Sequence, residues 1–263
     1  MSSFKLAAID LDDTLLNDSK EISKFTIGTI KIAAAKGIKI ILATGRCFRG
    51  AVKYYNKLGL ETPIITCGGA VVADKNCVEL FKLPINPEIA REILFFAKEK
   101  KVHAQIENSM EYCFEENNEY SELHKIFYGF AGVEIPDLIN KKDITASKVL
   151  IISKPEIIDR VQPEAERRFP SLLISRSLPS FLEFNNPDSS KGKALKFLSS
   201  YLSIMKDSII SIGDSALDIE LFKYSGFKVA MGNASKEIKE AADYITGTNN
   251  DDGAAKAIEK FLL

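Results

Sequence analysis

Histidine and cysteine are scarce in this chain, and net charge is nearly absent. Its 263 residues hold two histidines, His103 and His124, and four cysteines, Cys47, Cys67, Cys77 and Cys113. The cysteines lie far apart, with no C-x-x-C pair and no histidine close by. They read as small buried or half-buried residues of a reducing compartment. Neither histidine sits in a recognisable constellation, so any chemistry must run on carboxylates, lysines and hydroxyls. A formal net charge of −1 argues against a broad electrostatic footprint for nucleic acid or an anionic membrane. No apolar run is long enough to span a bilayer. The N-terminus goes straight into a strand and a motif, so no secretory signal is expected. There are no repeats and no low-complexity segments. A cytoplasmic protein is expected, a monomer or homodimer, with no nucleic-acid or membrane partner. The apolar fraction of 46% and charged fraction of 27% are ordinary for a globular chain of this length, which can form one large domain or two smaller ones.

The order of elements favours two domains. Residues 5–11 read as a buried strand, 22–36 as a helix stopped by Gly37, 38–43 as a strand, 46–58 as a helix ending at Gly59, and 63–66 as a short strand. Strand and helix alternating at these intervals imply a parallel sheet with right-handed crossovers. The pattern changes near Pro84. A helix over 87–100 is followed by short strands at 102–107 and 110–115, a polar helix at 119–128, strands at 147–152, 172–176 and 181–185, and a helix at 156–168. After Pro187 the alternation returns, with helices at 191–203, 216–224, 235–242 and 251–262 and strands at 207–212 and 227–230. The expected fold class is α/β, a doubly wound parallel-sheet (Rossmann-like) core of residues 1–83 and 188–263. An α+β domain over 84–187 is inserted into it. The two chain crossings make a natural hinge.

Acids, hydroxyls and a lysine recur at the strand ends and helix starts of that core. The first strand runs into Asp10-Leu11-Asp12-Asp13-Thr14. Acids at i and i+2 of an extended chain share a side, so Asp10 and Asp12 converge at the edge where open α/β sheets bind ligands. One carboxylate there can attack a substrate while the other moves a proton; a polar turn is the plainer reading of the segment alone. After the second strand comes Ala43-Thr44-Gly45-Arg46. A hydroxyl, an exposed backbone N–H and a helix start suit a phosphate oxygen, and equally suit a capped helix. At the return to the core stands Ser190-Lys191-Gly192-Lys193, where Lys191 can neutralise both a carboxylate nucleophile and a phosphoryl group. Last comes Ile212-Gly213-Asp214-Ser215-Ala216-Leu217-Asp218. Asp214 can complete an oxygen-only site with Asp10 and the backbone carbonyl of Asp12, a donor set suited to Mg²⁺, with Asp218 orienting from behind.

Together these residues resemble the haloacid dehalogenase-like hydrolase superfamily. D-x-D-x-T falls on Asp10 to Thr14, the second motif's hydroxyl on Thr44, the third motif's lysine on Lys191, and the fourth motif's acids on Asp214 and Asp218. The tail Val229-Ala230-Met231-Gly232-Asn233-Ala234, with Asp252-Gly253 beyond, is similar to the Cof-type, C2-capped subgroup. The resemblance covers both ends of the core, and the insertion matches that subgroup's cap in position and size. It implies a Mg²⁺-dependent phosphatase acting on a small phosphorylated metabolite, with a sugar phosphate as the family-level expectation. Asp10 is then the nucleophile and Asp12 the acid and base. Asp10, Asp12 through its backbone carbonyl, Asp214 and, from behind, Asp218 are the metal-site residues. Thr44, Gly45, Lys191 and the Leu11 backbone N–H hold phosphate, and a mobile cap shuts out water and chooses the leaving group. A phosphosugar mutase and a non-turnover Mg²⁺ and phosphate-binding regulator are the alternatives. Glu107–Glu111 and Glu183–Asn185 are candidate specificity segments in the cap. Two positions depart from the pattern. Asp13 stands where the subgroup has glycine; pointing inward, it would raise the cost of ionising Asp12, and Asp13→Gly would lower the acid limb of the pH profile. Leu217 stands where an asparagine helps to hold phosphate, a role for which Asn233 is a candidate substitute.

Overall fold

The computed structural model describes residues 4–263. The chain begins with strand β1 (Leu6–Asp10), helix α1 (Lys24–Ala35), β2 (Lys39–Ala43), α2 (Phe48–Leu58), β3 (Ile64–Thr66), β4 (Val71–Ala73) and β5 (Glu79–Lys82). The middle holds α3 (Pro87–Lys100), β6 (His103–Glu107), β7 (Tyr112–Phe114), α4 (Glu119–Tyr128), β8 (Val133–Glu134), β9 (Lys148–Ile152), α5 (Pro155–Arg168), β10 (Leu173–Ser175) and β11 (Phe181–Asn185). The chain closes with α6 (Lys191–Tyr201), β12 (Ile209–Gly213), α7 (Ile219–Lys223), β13 (Phe227–Ala230), α8 (Lys236–Ala241), β14 (Tyr244–Ile245) and α9 (Gly253–Leu262). No helix among the described residues is long and apolar enough to cross a membrane.

Two compact units result among the described residues: 4–45, Ala51–Phe81 and Ser190–Leu263 in one, Arg46–Gly50 and Lys82–Ser189 in the other. In the first, eight strands lie in the order β14-β13-β12-β1-β2-β3-β4-β5. From β14 to β3 all neighbours are parallel, and β4 then turns back antiparallel on β3. β1 is buried over its whole length, as a central strand covered on both faces must be. Its Leu6 and Ile9, fully buried, each contribute roughly 1.5–3 kcal/mol of apolar burial. The chain proceeds from β1 towards β2 and β3, but from β12 towards β13 and β14. The β1/β12 boundary is therefore the topological switch point, where the carboxyl ends of strands open a crevice.

The second unit has a six-stranded sheet, β10-β11-β9-β6-β7-β8, antiparallel except at β7/β8. Strand alternation gives it two different faces. Ile106, Val149, Ile151, Leu182 and Phe184 join residues of α3 and α5 in one apolar core. The other face carries Gln105, Glu107 and Lys148, all buried, with the aromatic rings of Tyr112, His124, Tyr128 and Phe181 packed together.

Sequence and structure differ in instructive places. α2 begins at Phe48 rather than at 46. The Cys47 thiol accepts from the backbone N–H groups of Arg49 and Gly50, so it takes the capping place expected of Thr44. The helix expected over 216–224 is a tight 3-10 turn at Ala216–Asp218 followed by a single short helix. β4, β5, β8 and β14 have no counterpart in the sequence reading. Each spans only two to four residues and exists through a neighbour's hydrogen bonds, so no periodicity announces it.

Candidate active site

The switch point of the first unit collects the expected acids. Asp10 is the last residue of β1 and Asp214 directly follows β12. Thr44, directly after β2, is buried; its N–H donates to Ile65 O at 2.9 Å and its carbonyl accepts from Gly68 N at 3.1 Å. Lys191 is the first residue of α6, whose N-cap Ser190 accepts from Lys193 N at 3.1 Å. That cap sets the helix start, and the helix start delivers the Lys191 side chain inward. Its Nζ donates to Asp10 Oδ1 at 2.6 Å and to Asp218 Oδ1 at 2.8 Å, with all three residues buried.

Asp218 is tied down at both oxygens. Oδ2 accepts from Asp214 N at 3.2 Å, Ser215 N at 3.0 Å and Ser215 Oγ at 2.9 Å. The close packing depends on glycine. A Cβ on Gly213 would lie 2.5 Å from Asp218 Cγ, and one on Gly192 would lie 2.0 Å from the Glu220 carbonyl oxygen. Asp214 Oδ1 accepts from Thr14 Oγ1 at 2.7 Å, which links the first motif to the last.

One carboxylate oxygen from each of Asp10, Asp214 and Asp218 lies within 4.8 Å of the others. Three acids thus share one cation, Lys191. Burial, then Coulomb repulsion from Asp218, raises the Asp214 carboxyl to about 6 despite the Thr14 hydrogen bond. Burial also raises Asp10 well above the usual carboxylate range, against the pull of Lys191. For Lys191, burial works against the ammonium, but the carboxylates of Asp10 and Asp218 outweigh it and hold it protonated. A donor set of oxygens with two uncompensated negative charges fits a hard divalent cation. Asp10 and Asp214 suit direct ligation. Asp218 is committed at both oxygens to Lys191, Asp214 N and Ser215, and so suits the orienting place behind them.

The remaining expected residues fall around this centre. Leu11 and Asp12 lie in the turn Leu11–Leu15, where Leu16 N donates back to Leu11 O at 2.9 Å. The Asp12 carboxylate is outside the acid cluster, 3.7 Å from Lys20 Nζ. Asp13, in the left-handed region at φ 56°, turns outward and pairs with Lys20 at 2.9 Å. The inward orientation assumed for its effect on Asp12 is therefore not met. Gly45 has open space where a Cβ would stand. Leu217 is half-exposed and supplies no amide. Asn233 is already engaged at both ends of its carboxamide, donating to Asp13 O at 2.8 Å and accepting from Asn249 N at 3.0 Å. Sequence reasoning assigned no role to Thr14, Ser215 or Lys20. Thr14 was in the motif, and its signal was a hydroxyl two residues beyond the second acid.

In the second unit the two candidate specificity segments meet through one lysine. Lys148 Nζ lies 3.2 Å from Glu107 and 3.4 Å from Glu183. Glu107 also accepts from Tyr128 Oη at 2.9 Å and Gln105 Nε2 at 3.1 Å. Arg46 of A-T-G-R, buried, donates to Phe127 O at 3.1 Å with its guanidinium 5.1 Å from the Phe127 ring centroid.

A family profile described as haloacid dehalogenase-like hydrolase matches residues 7–258. The chain is 32% identical over 259 residues to a 5-amino-6-(5-phospho-D-ribitylamino)uracil phosphatase of Bacillus subtilis, YcsE, covering 98% of this chain and 96% of that one. Its fold is similar to that of a haloacid dehalogenase-like hydrolase from Bacteroides thetaiotaomicron, at a TM-score of 0.91 and 30% identity over 98% of this chain and 99% of that one. It is similar also to the subclass IIB sugar phosphatase BT4131, at a TM-score of 0.82 and 26% identity over 98% of both chains.

Proposed function

The chain belongs to the haloacid dehalogenase-like hydrolases, in their Cof-type subgroup, and is a phosphoric monoester hydrolase; from that premise we propose a Mg²⁺-dependent phosphatase of small sugar phosphates that works through an aspartyl-phosphate on Asp10. The observation that carries the reading is Lys191, whose ammonium bridges Asp10 and Asp218 beside Asp214. Lys191 orients Asp10 Oδ1 and offers positive charge to a phosphoryl group brought to the same carboxylate.

In this reading the Asp10 carboxylate attacks phosphorus, the bond to the leaving oxygen breaks, and Asp12 gives that oxygen its proton. Asp12, now a carboxylate, takes a proton from water as the water oxygen attacks phosphorus. The bond to Asp10 then breaks and inorganic phosphate leaves. Thr44, Gly45 and the backbone N–H of Leu11 hold the phosphoryl oxygens, with Lys191 opposing their charge. Asp10, Asp214 and the Asp12 carbonyl would hold Mg²⁺, oriented by Asp218. Bound there, it would neutralise charge developing on the transferring group. Residues 84–187 are the cap of this reading and select the leaving group. The sugar phosphatase among the structural relatives supports the sugar-phosphate preference.

Phosphate release by wild type and Asp10→Asn, with and without Mg²⁺, tests this across para-nitrophenyl phosphate and a panel of small phosphomonoesters. Turnover that needs both Mg²⁺ and Asp10 is the expected result. An isomerised sugar phosphate in place of free phosphate would turn the reading to a mutase. Stoichiometric binding without turnover at saturating Mg²⁺ would turn it to a regulator, with Leu217 as the reason.

A further inference from the structure

The turn that carries Asp12 is gripped from the far end of the chain. Asp13 adopts φ 56° and ψ 11°, a left-handed conformation that a β-carbon disfavours, although aspartate tolerates it better than most residues. What holds it is Asn233. The carboxamide orientation is unambiguous: Oδ1 accepts from the Asn249 backbone N–H at 3.0 Å, so Nδ2 must be the group that donates to Asp13 O at 2.8 Å. Asn249, itself buried, then grips the other end of the turn, its Nδ2 donating to Leu16 O and to Asp18 Oδ1, both at 3.1 Å. Two asparagines from the tail thus fix the carbonyls of Asp13 and Leu16, with the Asp12 peptide immediately before the first of them. Lys20 draws the Asp13 carboxylate outward, away from Asp10 and Asp214.

We propose that Asn233 is a positioning residue for Asp12: its carboxamide, locked by Asn249, holds the left-handed Asp13 peptide and so aims the Asp12 carboxyl at the leaving oxygen. The assignment rests on the reading of Asp12 as the proton donor. It gives the Asn233 carboxamide a role other than holding phosphate, with one end on the turn and the other on the Asn249 backbone. It also predicts a defect specific to proton delivery. A nitrophenolate leaves without a proton, whereas an alkoxide needs one.

The test is single-turnover formation of the aspartyl-phosphate by wild type, Asn233→Ala and Asn233→Asp. The substrates are para-nitrophenyl phosphate and an alkyl phosphomonoester such as glycerol phosphate. Asn233→Asp keeps the acceptor for Asn249 N–H and removes the donor to Asp13. In both variants the alkyl rate is expected to fall on the order of tenfold more than the nitrophenyl rate, less than the roughly 10²–10⁴-fold of a wholly lost general acid because Asp12 is misaimed rather than removed, with KM little changed. Equal losses on the two substrates, or no loss, would overturn the assignment. Hydrogen exchange supplies the second readout. Backbone amides of residues 12–17 should exchange faster in both variants while those of the neighbouring strands do not, and unchanged exchange would remove the clamp itself. A wild type without Asp10-dependent turnover would sink the phosphatase reading, and the role of Asn233 with it, whatever the exchange shows.

Discussion

Thr14 shows how much one hydroxyl does at this centre. It is buried and donates to Asp214 Oδ1 at 2.7 Å, in a place where burial and Asp218 already disfavour the Asp214 anion. Valine fills nearly the same volume without the donor. Thr14→Val should therefore leave packing intact and loosen an acid of the proposed metal site. A partner of this kind typically carries 10–100-fold in metal affinity. The Mg²⁺ concentration for half-maximal activity should rise by about that factor, with kcat at saturating Mg²⁺ much less affected. A Mg²⁺ titration of phosphate release reads both; an unchanged midpoint would mean that Thr14 is only filling space.

At the scale of the element, Lys191 depends on how closely α6 approaches α7. Gly192 is the second residue of α6, and a Cβ there would lie 2.0 Å from the Glu220 carbonyl oxygen and 2.5 Å from its carbon. Two effects compete in Gly192→Ala. Alanine is favoured over glycine in a helix by roughly 1 kcal/mol. Against that stands overpacking, typically about 1–3 kcal/mol and here directed at backbone that has no rotamer to change. The clash wins. The variant should lose about 1–2 kcal/mol of stability, and its kcat should fall because the start of α6 carries Lys191. Urea denaturation and steady-state kinetics on the same preparation check both. A variant as stable as wild type would show that α6 shifts at no cost.

For the whole molecule, the two histidines are titrating groups whose native and unfolded states differ. His103 is buried in the second unit, and that burial lowers its pKa to about 4. His124 is lowered as well, by burial first and then by the Lys148 charge. A native histidine held neutral binds its proton less readily than the unfolded chain, whose histidine titrates near 6.5. The stabilising difference is complete above about 6.5 and is lost as pH falls towards 4, where His103 accounts for up to about 3 kcal/mol. His103→Gln should flatten the acid decline of stability between those values. Denaturation midpoints across pH 7.5 to 4, wild type against variant, read the difference, and parallel curves would show that His103 is not a source of the decline. If the proposed site holds Mg²⁺, its binding to the native acids should stabilise the fold, so a chelator should lower the denaturation midpoint, and an unchanged midpoint would count against the metal.

The sequence by itself determined which acids and which lysine stand at strand ends and helix starts, because an apolar strand that ends in acids is a local pattern. Asp10, Lys191, Asp214 and Asp218 were legible from their places at strand ends and helix starts, and so was the long run of α3, α4, β11 and β13, whose spans agree with the expected ones. The same local signal failed for β4, β5, β8 and β14, which are strands only through their neighbours. Tertiary structure alone decided the rest, since those contacts join residues about two hundred positions apart. Lys191 meets Asp10 across 181 positions, Thr14 meets Asp214 across 200, and Asn233 meets Asp13 across 220. No spacing rule reaches that far. The parallel sheet brings both ends of the chain to one edge, and the electrostatics of that edge then assign each side chain its partner.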